Sequence, residues 1–326
     1  MSMHTLTVAE AICEALREEM ERDPRVFLMG EDVGPIGGIF ATSRGLLEKF
    51  GPNRIIDAPI SEASIVGHAI GAAVAGMRPV VECGGFVDFL SLTMDQLVNQ
   101  AAKLRYMFGG KGTVPMVVRA AQGSGVKLAA QHSQSLEAWF AHVPGLIVVC
   151  PSTPADAKGL LLASIRNPNP VIFLEHKMLY FVKGDVPDGE GVERIGVAAR
   201  RREGTDVTVV SYSLMTHRCL EAADLLGQRG ISCEVIDLRT IRPWDKEAVL
   251  ASVRKTHRLV VVHEAVKSFG AGAEIAATVM EEAFDDLDAP VVRVGAHDIP
   301  IPFNETLERE TTPTVERIVE AVKTLG

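Results

Sequence analysis

The sequence predicts an α/β protein made of two successive domains, each with a mainly parallel sheet covered by helices. Short apolar and β-branched segments alternate with helical patterns along the whole chain. The length of 326 residues and the hydrophobic content of 47% are enough for two cores of ordinary size. Between residues 183 and 203 the composition shifts to Gly, Pro, Asp, Glu and Arg, as in a linker. We therefore predict domains at residues 1–190 and 191–326.

The first domain is expected to begin with an amphipathic helix. Thr7 and Glu10 form a capping box, and apolar residues recur after them at helical spacing. Ser61 is placed to cap another helix, which runs to Gly76. The other elements predicted here are strands at 26–29, 79–83, 114–119, 146–150 and 171–174, a loop at 31–51, a helix at 93–108 closed by Gly109 and Gly110, and a helix that begins near Pro154.

The second domain repeats the alternation of strands and helices. Its helical stretches are about a dozen residues long, and Gly230 marks the end of one of them. Strands joined by helices of this length pair in parallel, because the chain must cross back before the next strand begins. The strands predicted in this half are 207–210, 233–236, 259–262 and 291–294.

Composition and charge exclude several classes of function. The net charge is −9, and the longest basic run is Arg200-Arg-Arg202, so a nucleic-acid backbone is an improbable partner. The five cysteines are scattered without C-x-x-C spacing, which indicates reduced thiols rather than disulfides or a zinc site. No secretory signal is readable at the N-terminus, and the most apolar stretch, residues 65–81, is too short and interrupted to span a bilayer. We expect a cytoplasmic protein that binds neither nucleic acid nor membrane.

The common catalytic motifs are incomplete or absent. Gly123-x-Gly125 and Gly270-x-Gly272 each lack the third glycine of a dinucleotide fingerprint, since Leu128 and Ile275 stand there. The sequence has no phosphate-binding P-loop, no G-x-S-x-G elbow and no H-E-x-x-H helix. A Rossmann NAD site, nucleotide hydrolysis, serine-hydrolase chemistry and zinc-protease chemistry therefore lose their support.

Three side chains remain as candidates near the ends of predicted strands, where open α/β sheets bind ligands. Glu62 begins an apolar helix that offers it no cation, so it is either a proton-transfer group or an ordinary acid at a helix N-terminus. Phe89 ends the stretch Gly84-Gly-Phe-Val-Asp-Phe89, which directly follows a predicted strand, and either packs in the core or forms a platform for a ligand. His132 lies in a polar loop, where a solvated or capping role competes with catalysis.

Several ordered sequence blocks carry a resemblance to a known family. The chain resembles the beta subunit of the thiamine-diphosphate-dependent first component of 2-oxo acid dehydrogenase complexes, and most closely that of acetoin dehydrogenase. The stretches that favour the acetoin branch over the pyruvate and branched-chain branches are 86–89, 105–111 and 175–180. The blocks are Met29-Gly-Glu-Asp-Val33, Gly37-Gly-Ile-Phe40, Pro59-Ile-Ser-Glu62, Phe86-Val-Asp-Phe89, Asn99-Gln-Ala-Ala-Lys103, Arg105-Tyr-Met-Phe-Gly-Gly110, Gln131-His-Ser-Gln134, Asp156-Ala-Lys-Gly-Leu160 and Asp237-Leu-Arg-Thr240.

The resemblance implies a role for each candidate. The glutamate that matches Glu62 hydrogen-bonds a ring nitrogen of the cofactor's aminopyrimidine and promotes the tautomer that takes the proton from the thiazolium carbon. Phe89 matches an aromatic residue that packs on the aminopyrimidine. His132 matches a histidine that is implied to orient substrate and to assist acyl transfer to lipoamide. The cofactor would supply the carbanion chemistry, and the protein would supply orientation and electrostatics.

The sequence also lacks one part of a thiamine-diphosphate site. No G-D-G followed by a suitably spaced asparagine occurs, the motif that holds magnesium and diphosphate in this class, and Gly184-Asp-Val186 lacks the second glycine. The resemblance therefore implies an α2β2 heterotetramer in which an alpha subunit brings that half. The spacing Gly67-x-x-x-Gly71 would permit close helix contact at such an interface, although tight packing within the chain explains it equally well.

The second domain resembles the transketolase C-terminal domain, which implies subunit assembly and docking of a dihydrolipoyl acyltransferase with its lipoyl domain. Relatives also hold a potassium ion, and Asn167 stands where an aspartate is common. Two other hypotheses are a complete transketolase-like enzyme and a non-catalytic assembly subunit that docks the acyltransferase core. The residues that match the potassium ligands are Met116, Ser164, Ile165, Asn167 and Asn169.

Overall fold

A computed structural model describes residues 2–189 and 191–325. Tertiary contacts divide the chain into two compact units, and the first contains the chain up to Gln122 together with residues 139–195. The second contains residues 123–138 and the chain from Gly196 onward. The segment 123–138 therefore belongs to the second unit, although it lies inside the first predicted domain. The predicted boundary after residue 190 falls on a residue outside the described part of the chain and stays a prediction.

Strands and helices alternate through both units. The elements up to residue 189 are β1 (Met3–Thr7), α1 (Val8–Arg22), β2 (Val26–Gly30), α2 (Leu46–Phe50), β3 (Ile55–Asp57), α3 (Glu62–Val74), β4 (Arg78–Phe86), a 3-10 helix (Val87–Thr93), a π-helix (Asp95–Ala101), α4 (Ala102–Met107), β5 (Val117–Gln122), α5 (Glu137–Ala141), β6 (Ile147–Val149), α6 (Pro154–Arg166), β7 (Val171–His176), a 3-10 turn (Lys177–Leu179) and β8 (Lys183–Pro187). The later elements are β9 (Ala199–Arg202), β10 (Val207–Ser211), α7 (Leu214–Gly227), β11 (Cys233–Asp237), β12 (Thr240–Arg242), α8 (Lys246–Thr256), β13 (Leu259–Val266), α9 (Ala271–Glu282), a 3-10 turn (Phe284–Asp286), β14 (Val292–Ala296), α10 (Glu305–Thr311) and α11 (Val315–Lys323).

The first unit is built on a parallel sheet with the strand order β6-β7-β5-β4-β2-β3. Its strands are mostly buried, as expected for a sheet with helices on both faces. Because all six strands run the same way, their carboxyl ends share one edge. The segments after β2, β3 and β4 therefore meet at that edge, and Glu62 and Phe89 lie on two of them.

The second unit has a sheet with the strand order β14-β13-β10-β11-β9. The first four strands are parallel, and β9 is an antiparallel edge strand. Helices α7 and α11 pack on one face of this sheet around a continuous apolar cluster. Two α/β units with mainly parallel sheets confirm the predicted fold class. No helix in the described part of the chain is long and apolar enough to cross a bilayer.

Several predicted elements are confirmed, and others differ in detail. The capping box of Thr7 and Glu10 is present at the start of α1. The Ser61 side chain, by contrast, makes no capping hydrogen bond to α3. The predicted helix at 93–108 is instead built from three helical segments, and the middle one is a π-helix. The sequence pattern missed this because apolar spacing over seven residues does not distinguish a π turn from an α turn. Strand β5 begins at Val117 rather than residue 114, since Pro115 has no N–H for the ladder.

Short polar elements were missed by the sequence patterns. The predicted loop at 31–51 contains helix α2, and the predicted linker contains strands β8 and β9. Strand β8 pairs antiparallel with β1, from Met3 opposite Pro187 to Thr7 opposite Lys183. Neither strand has an apolar pattern, so each is a strand because the other, about 180 residues away, satisfies its backbone hydrogen bonds.

The second Gly-x-Gly pair has a structural role in the second unit. His263 on β13 is fully buried, and its Nδ1 donates to the Ala265 carbonyl at 3.1 Å. A Cβ atom at Gly270 would lie 2.5 Å from His263 Cε1, and one at Gly272 would lie 2.7 Å from Cδ2. Glycine is needed at both positions because the α9 backbone packs directly on the imidazole ring. Burial lowers the pKa of His263 to about 4.

The buried His263 predicts acid sensitivity of the fold. Its pKa is 6.5 in an exposed state and about 4 in the folded protein. The unfolded chain therefore binds a proton between these values while the folded chain does not, so stability falls as the pH falls. We expect this residue to lower the free energy of unfolding by about 3 kcal/mol between pH 6.5 and pH 4.

Urea unfolding of the wild type and of His263→Phe at several pH values would measure this effect. The variant should lose that part of the pH dependence, and equal slopes in the two proteins would contradict the prediction.

Candidate active site

Glu62 lies at the carboxyl edge of the first unit's sheet. It is the first residue of α3, and its backbone carbonyl accepts a hydrogen bond from the Cys83 thiol of β4 at 3.8 Å. The residue is only 8% exposed. In residues 2–189 and 191–325, no hydrogen bond or ion pair reaches its carboxylate. A buried carboxylate without a partner is costly, so this side chain is positioned to accept a hydrogen bond from a ligand.

A second carboxylate lies close to the same strand end. Burial raises the pKa of the Cys83 thiol, and the negative charges of Glu31 and Glu62 raise it further. Glu31 follows β2 and Glu62 follows the loop after β3, so both acids lie beside the end of β4. Glu31 was not among the predicted site residues. Its position in the Met29-Gly-Glu-Asp-Val33 block was the signal that could have identified it.

Phe89 lies on the 3-10 helix that follows β4, at the same edge as Glu62. It is half-buried and packs against Phe86, with ring centroids 6.5 Å apart at 60°. Phe86 in turn meets Phe40 edge to face at 6.3 Å, and Phe40 stacks on Tyr180 at 4.3 Å. We refer to Tyr180, Phe40, Phe86 and Phe89 as the aromatic row. The row packs against the Phe89 ring. Because this ring is partly exposed, it is a candidate surface for a planar ligand.

A buried ionic network anchors the far end of the aromatic row. Arg119 on β5 donates to the two oxygens of Glu175 at 2.6 and 2.8 Å, and to Glu82 at 3.0 Å. The Tyr180 hydroxyl donates to Glu175 at 2.6 Å, and the Thr42 hydroxyl donates to Glu82 at 3.2 Å. We call these five residues the Arg119 network.

Burial and neighbouring charges have opposite effects on the pKa values of Arg119 and Glu82 in this network. Burial disfavours the charge on Arg119, but the Glu175 and Glu82 carboxylates outweigh it and raise the pKa of the guanidinium. Burial raises the pKa of Glu82, and Arg119 partly offsets that rise. Burial also raises the pKa of Tyr180 well above its usual value, so the phenol stays protonated and donates its hydrogen bond.

Sequence patterns did not identify the Arg119 network. Each of three neighbouring apolar strands carries a charged residue in its interior: Glu82 in β4, Arg119 in β5 and Glu175 in β7. Glu82 is directly opposite Arg119 in the ladder, and Ala121 is opposite Glu175. An isolated charge within a buried strand was the available signal. Its partners could be identified only after the strand order was known.

His132 lies in the polar segment 123–138 of the second unit and is half-buried. Its backbone N–H lies 3.5 Å from the Ala129 carbonyl oxygen. The segment is closed by a hydrogen bond from the Gly123 N–H to the Gln134 carbonyl at 2.9 Å. Its catalytic role stays a prediction.

The predicted potassium ligands lie in the first unit, around the ends of α6 and β5. Two of their carbonyls accept from Arg78, whose Nη1 lies 2.7 Å from the Ile165 oxygen and 3.4 Å from the Asn167 oxygen. The side chain of Asn169 accepts from Arg105 at 2.5 Å. Two guanidinium groups therefore already supply positive charge to part of the predicted set, and the potassium site stays a prediction. In the described ranges, no group of three or more His, Cys, Asp or Glu is placed to hold a metal ion.

Comparison with known proteins decides the family. Residues 4–183 match the transketolase pyrimidine binding domain, and residues 196–318 match the transketolase C-terminal domain. The chain is 49% identical over 322 residues to pyruvate dehydrogenase E1 component subunit beta-2 of Oryza sativa subsp. japonica, covering 98% of this chain and 85% of that protein. It belongs to this family of E1 beta subunits.

Other members and a solved structure extend the comparison. The chain is 47% identical over 328 residues to the acetoin:2,6-dichlorophenolindophenol oxidoreductase subunit beta of Cupriavidus necator, covering 98% of this chain and 96% of that protein. A solved structure named "Split gene transketolase, inactive beta4 tetramer" shares the fold, with a TM-score of 0.81, 24% identity and 98% coverage of both chains. The family resemblance inferred from the sequence blocks is thereby confirmed. The family contains proteins named for pyruvate and for acetoin.

The Arg119 network predicts a large effect of a single substitution. Arg119→Met would leave the buried carboxylates of Glu82 and Glu175 without their cation, which is expected to cost about 3–5 kcal/mol of unfolding free energy. Arg105→Met is the matched control, because Arg105 is exposed and bonds only a side-chain amide oxygen. The control should cost less than about 1 kcal/mol. Urea unfolding measures both, and equal effects would contradict the assigned role of the network.

Proposed function

We propose that this chain is the beta subunit of a thiamine-diphosphate-dependent dehydrogenase component. The proposed reaction is cleavage of acetoin and transfer of the acyl group to the lipoamide of a dihydrolipoyl acyltransferase. The observation that carries the proposal is the Glu62 carboxylate, which is buried at the same sheet edge as Phe89 without a hydrogen-bond partner in the described part of the chain. Membership of the E1 beta-subunit family supports the same cofactor.

The residues at the sheet edge suit the aminopyrimidine end of this cofactor. When bound, thiamine diphosphate supplies an electron sink that stabilises a carbanion next to a carbonyl. Glu62 would accept a hydrogen bond from a ring nitrogen, which would give its buried carboxylate the donor that it lacks. Phe89 would pack on a ring face and orient the ring toward Glu62. A shared proton between ring and carboxylate is the function that this pair of side chains can provide.

His132 is proposed to act later, on the substrate side. An imidazole can hold or release a proton at a reacting oxygen or sulfur atom. The sequence block 131–134 supports this role. The alternative of a non-catalytic assembly subunit is disfavoured, because such a subunit has no need for Glu62, Phe89 and His132 together.

The other half of the site is proposed to come from an alpha subunit in an α2β2 assembly. The chain has no G-D-G motif with its asparagine, so magnesium and the diphosphate would be held by the partner. The open face of α3 supports close association. A Cβ atom at Gly71 would meet nothing within 4 Å, and one at Gly67 would meet only Gln96 Cγ at 4.0 Å. Packing among the described residues therefore does not require glycine at either position, whereas a closely approaching partner helix would.

The substrate is the finer part of the proposal. Three sequence stretches favour acetoin, and relatives named for acetoin and for pyruvate have similar identity to this chain. Pyruvate and a branched-chain 2-oxo acid are the alternatives. All three reactions need the same cofactor half-site, so Glu62 and Phe89 do not distinguish them. A cytoplasmic location is part of the proposal.

A reconstitution assay tests function and substrate together. The chain should be inactive alone, and active with its alpha subunit and thiamine diphosphate. The complex should turn over acetoin at least about tenfold faster, in kcat/KM, than pyruvate or 3-methyl-2-oxobutanoate. Turnover by the purified single chain would contradict the α2β2 proposal, and a preference for pyruvate would replace acetoin by the first alternative.

Glu62→Gln tests the role of the buried carboxylate. An amide shares a proton with the ring much less well than a carboxylate does, so kcat should fall by about 100-fold or more. Glu48→Gln is the control, since Glu48 is an exposed acid in the first turn of α2 in the same unit. Steady-state rates of the reconstituted variants measure the effect. A rate for Glu62→Gln within about threefold of the wild type would exclude the proposed role.

A further inference from the structure

The segment that carries His132 is held from within the second unit by two acidic side chains. The first is Glu264 in β13, more than 130 residues further along the chain. One of its oxygens accepts the backbone N–H of Ser124 at 2.7 Å and the Ser124 hydroxyl at 3.0 Å. The start of segment 123–138 is thereby attached to the carboxyl end of the central sheet of this unit.

The second acidic side chain is Glu308 in α10. Its two oxygens accept separate backbone amides, from Gly125 at 2.7 Å and from Lys127 at 3.2 Å. Glu308 is 2% exposed, and no cation pairs with it in the described residues. We call Glu264 and Glu308 the carboxylate clamp. Together they take up the N–H groups of three residues within the four-residue stretch 124–127.

The clamp binds a segment whose backbone conformation is unfavourable unless surrounding groups hold it. Lys127 and Ala129 both have φ of 58°, a left-handed conformation that non-glycine residues rarely adopt. Such residues persist where the surroundings fix them, and they concentrate at functional sites. The Glu308 bond to the Lys127 N–H fixes the first of them. His132 follows Ala129 by three residues, inside the loop that the bond from Gly123 to Gln134 closes.

The chain offers an internal comparison on the same helix. Glu305, three residues before Glu308, contacts the same segment through an exposed ion pair with the Lys127 side chain at 2.9 Å. Exposed ion pairs of this kind stabilise little and leave the backbone free. Glu308 instead is a buried charge whose bonds reach backbone amides, and charge-assisted bonds of this type are short and directional. A contact like that of Glu305 would be enough to attach segment 123–138 to α10. The clamp in addition fixes the backbone conformation of the residues that lead to His132.

We propose that Glu264 and Glu308 are positioning residues for His132 in the transfer of the acyl group to the lipoyl group. In that step a C–S bond would form to one lipoyl sulfur while the lipoyl S–S bond breaks, the two electrons coming from the substrate-derived carbanion, and the second sulfur would leave as a thiolate that takes a proton from the imidazole. This inference rests on the proposed function. The clamp fixes the backbone before His132, and the imidazole is thereby placed at the position from which it handles the proton during transfer. Cleavage of the substrate depends on Glu62 and Phe89, so loss of the clamp should affect the second half of the reaction selectively.

The test compares Glu308→Gln with Glu305→Gln in the complex reconstituted with the alpha subunit and thiamine diphosphate. In Glu308→Gln one acceptor oxygen becomes an amide group that faces a backbone N–H. Two rates are measured with the substrate that the wild type uses: reduction of 2,6-dichlorophenolindophenol, which needs no lipoyl group, and acylation of a lipoyl domain. Acylation by Glu308→Gln should fall about tenfold, with dye reduction within about twofold of the wild type. Glu305→Gln should leave both rates unchanged.

The same two rates measured for Glu264→Gln give a second test, which does not depend on whether Glu308→Gln folds. Glu264→Gln should show the same selective loss, and hydrogen exchange at the amides of residues 124–127 should be faster in both clamp variants. Equal losses in both rates, or an acylation rate in both clamp variants equal to that of Glu305→Gln, would overturn the inference while leaving the proposed function intact. A wild-type complex that neither reduces the dye nor acylates the lipoyl domain would overturn the proposed function as well.

Discussion

The guanidinium of Arg119 is the interaction on which the first unit's site depends. It lies in the middle of a parallel sheet, fully buried, between a carboxylate on each of two neighbouring strands. Three charges in such a place are tolerated only when their hydrogen bonds are complete. This requirement constrains the register of β4, β5 and β7, because a one-residue slip would leave a buried charge unpaired.

Through the aromatic row, the same network supports Phe89 at the carboxyl edge of the sheet. Glu175 holds the Tyr180 hydroxyl, Tyr180 stacks on Phe40, and Phe40 contacts Phe86, which packs on Phe89. Two of these contacts, Tyr180 with Phe40 and Phe40 with Phe86, join segments far apart in sequence, so the half-exposed ring of Phe89 rests on a support that begins in the centre of the sheet. The proposed packing of Phe89 on a planar ligand would need this rigidity, since small displacements of catalytic groups are costly.

Each unit holds buried acids in a distinctive arrangement. At one sheet edge it presents a buried acid and an aromatic platform, while the face of α3 around Gly67 and Gly71 has room that the described residues leave unfilled. In the second unit, buried acids bind backbone amides and set the path of the segment around His132.

The sequence alone determined the α/β class, because strand and helix periodicities record which faces of local segments are buried. It also singled out Glu62 and Phe89 as candidate site residues, since their positions near strand and helix ends are local properties, and their roles stay predictions. It did not identify the Arg119 network, the β1–β8 pairing or the membership of segment 123–138 in the second unit. These features join residues separated by up to about 180 positions, and their partners are chosen by strand order and long-range hydrogen bonding, which no local pattern encodes.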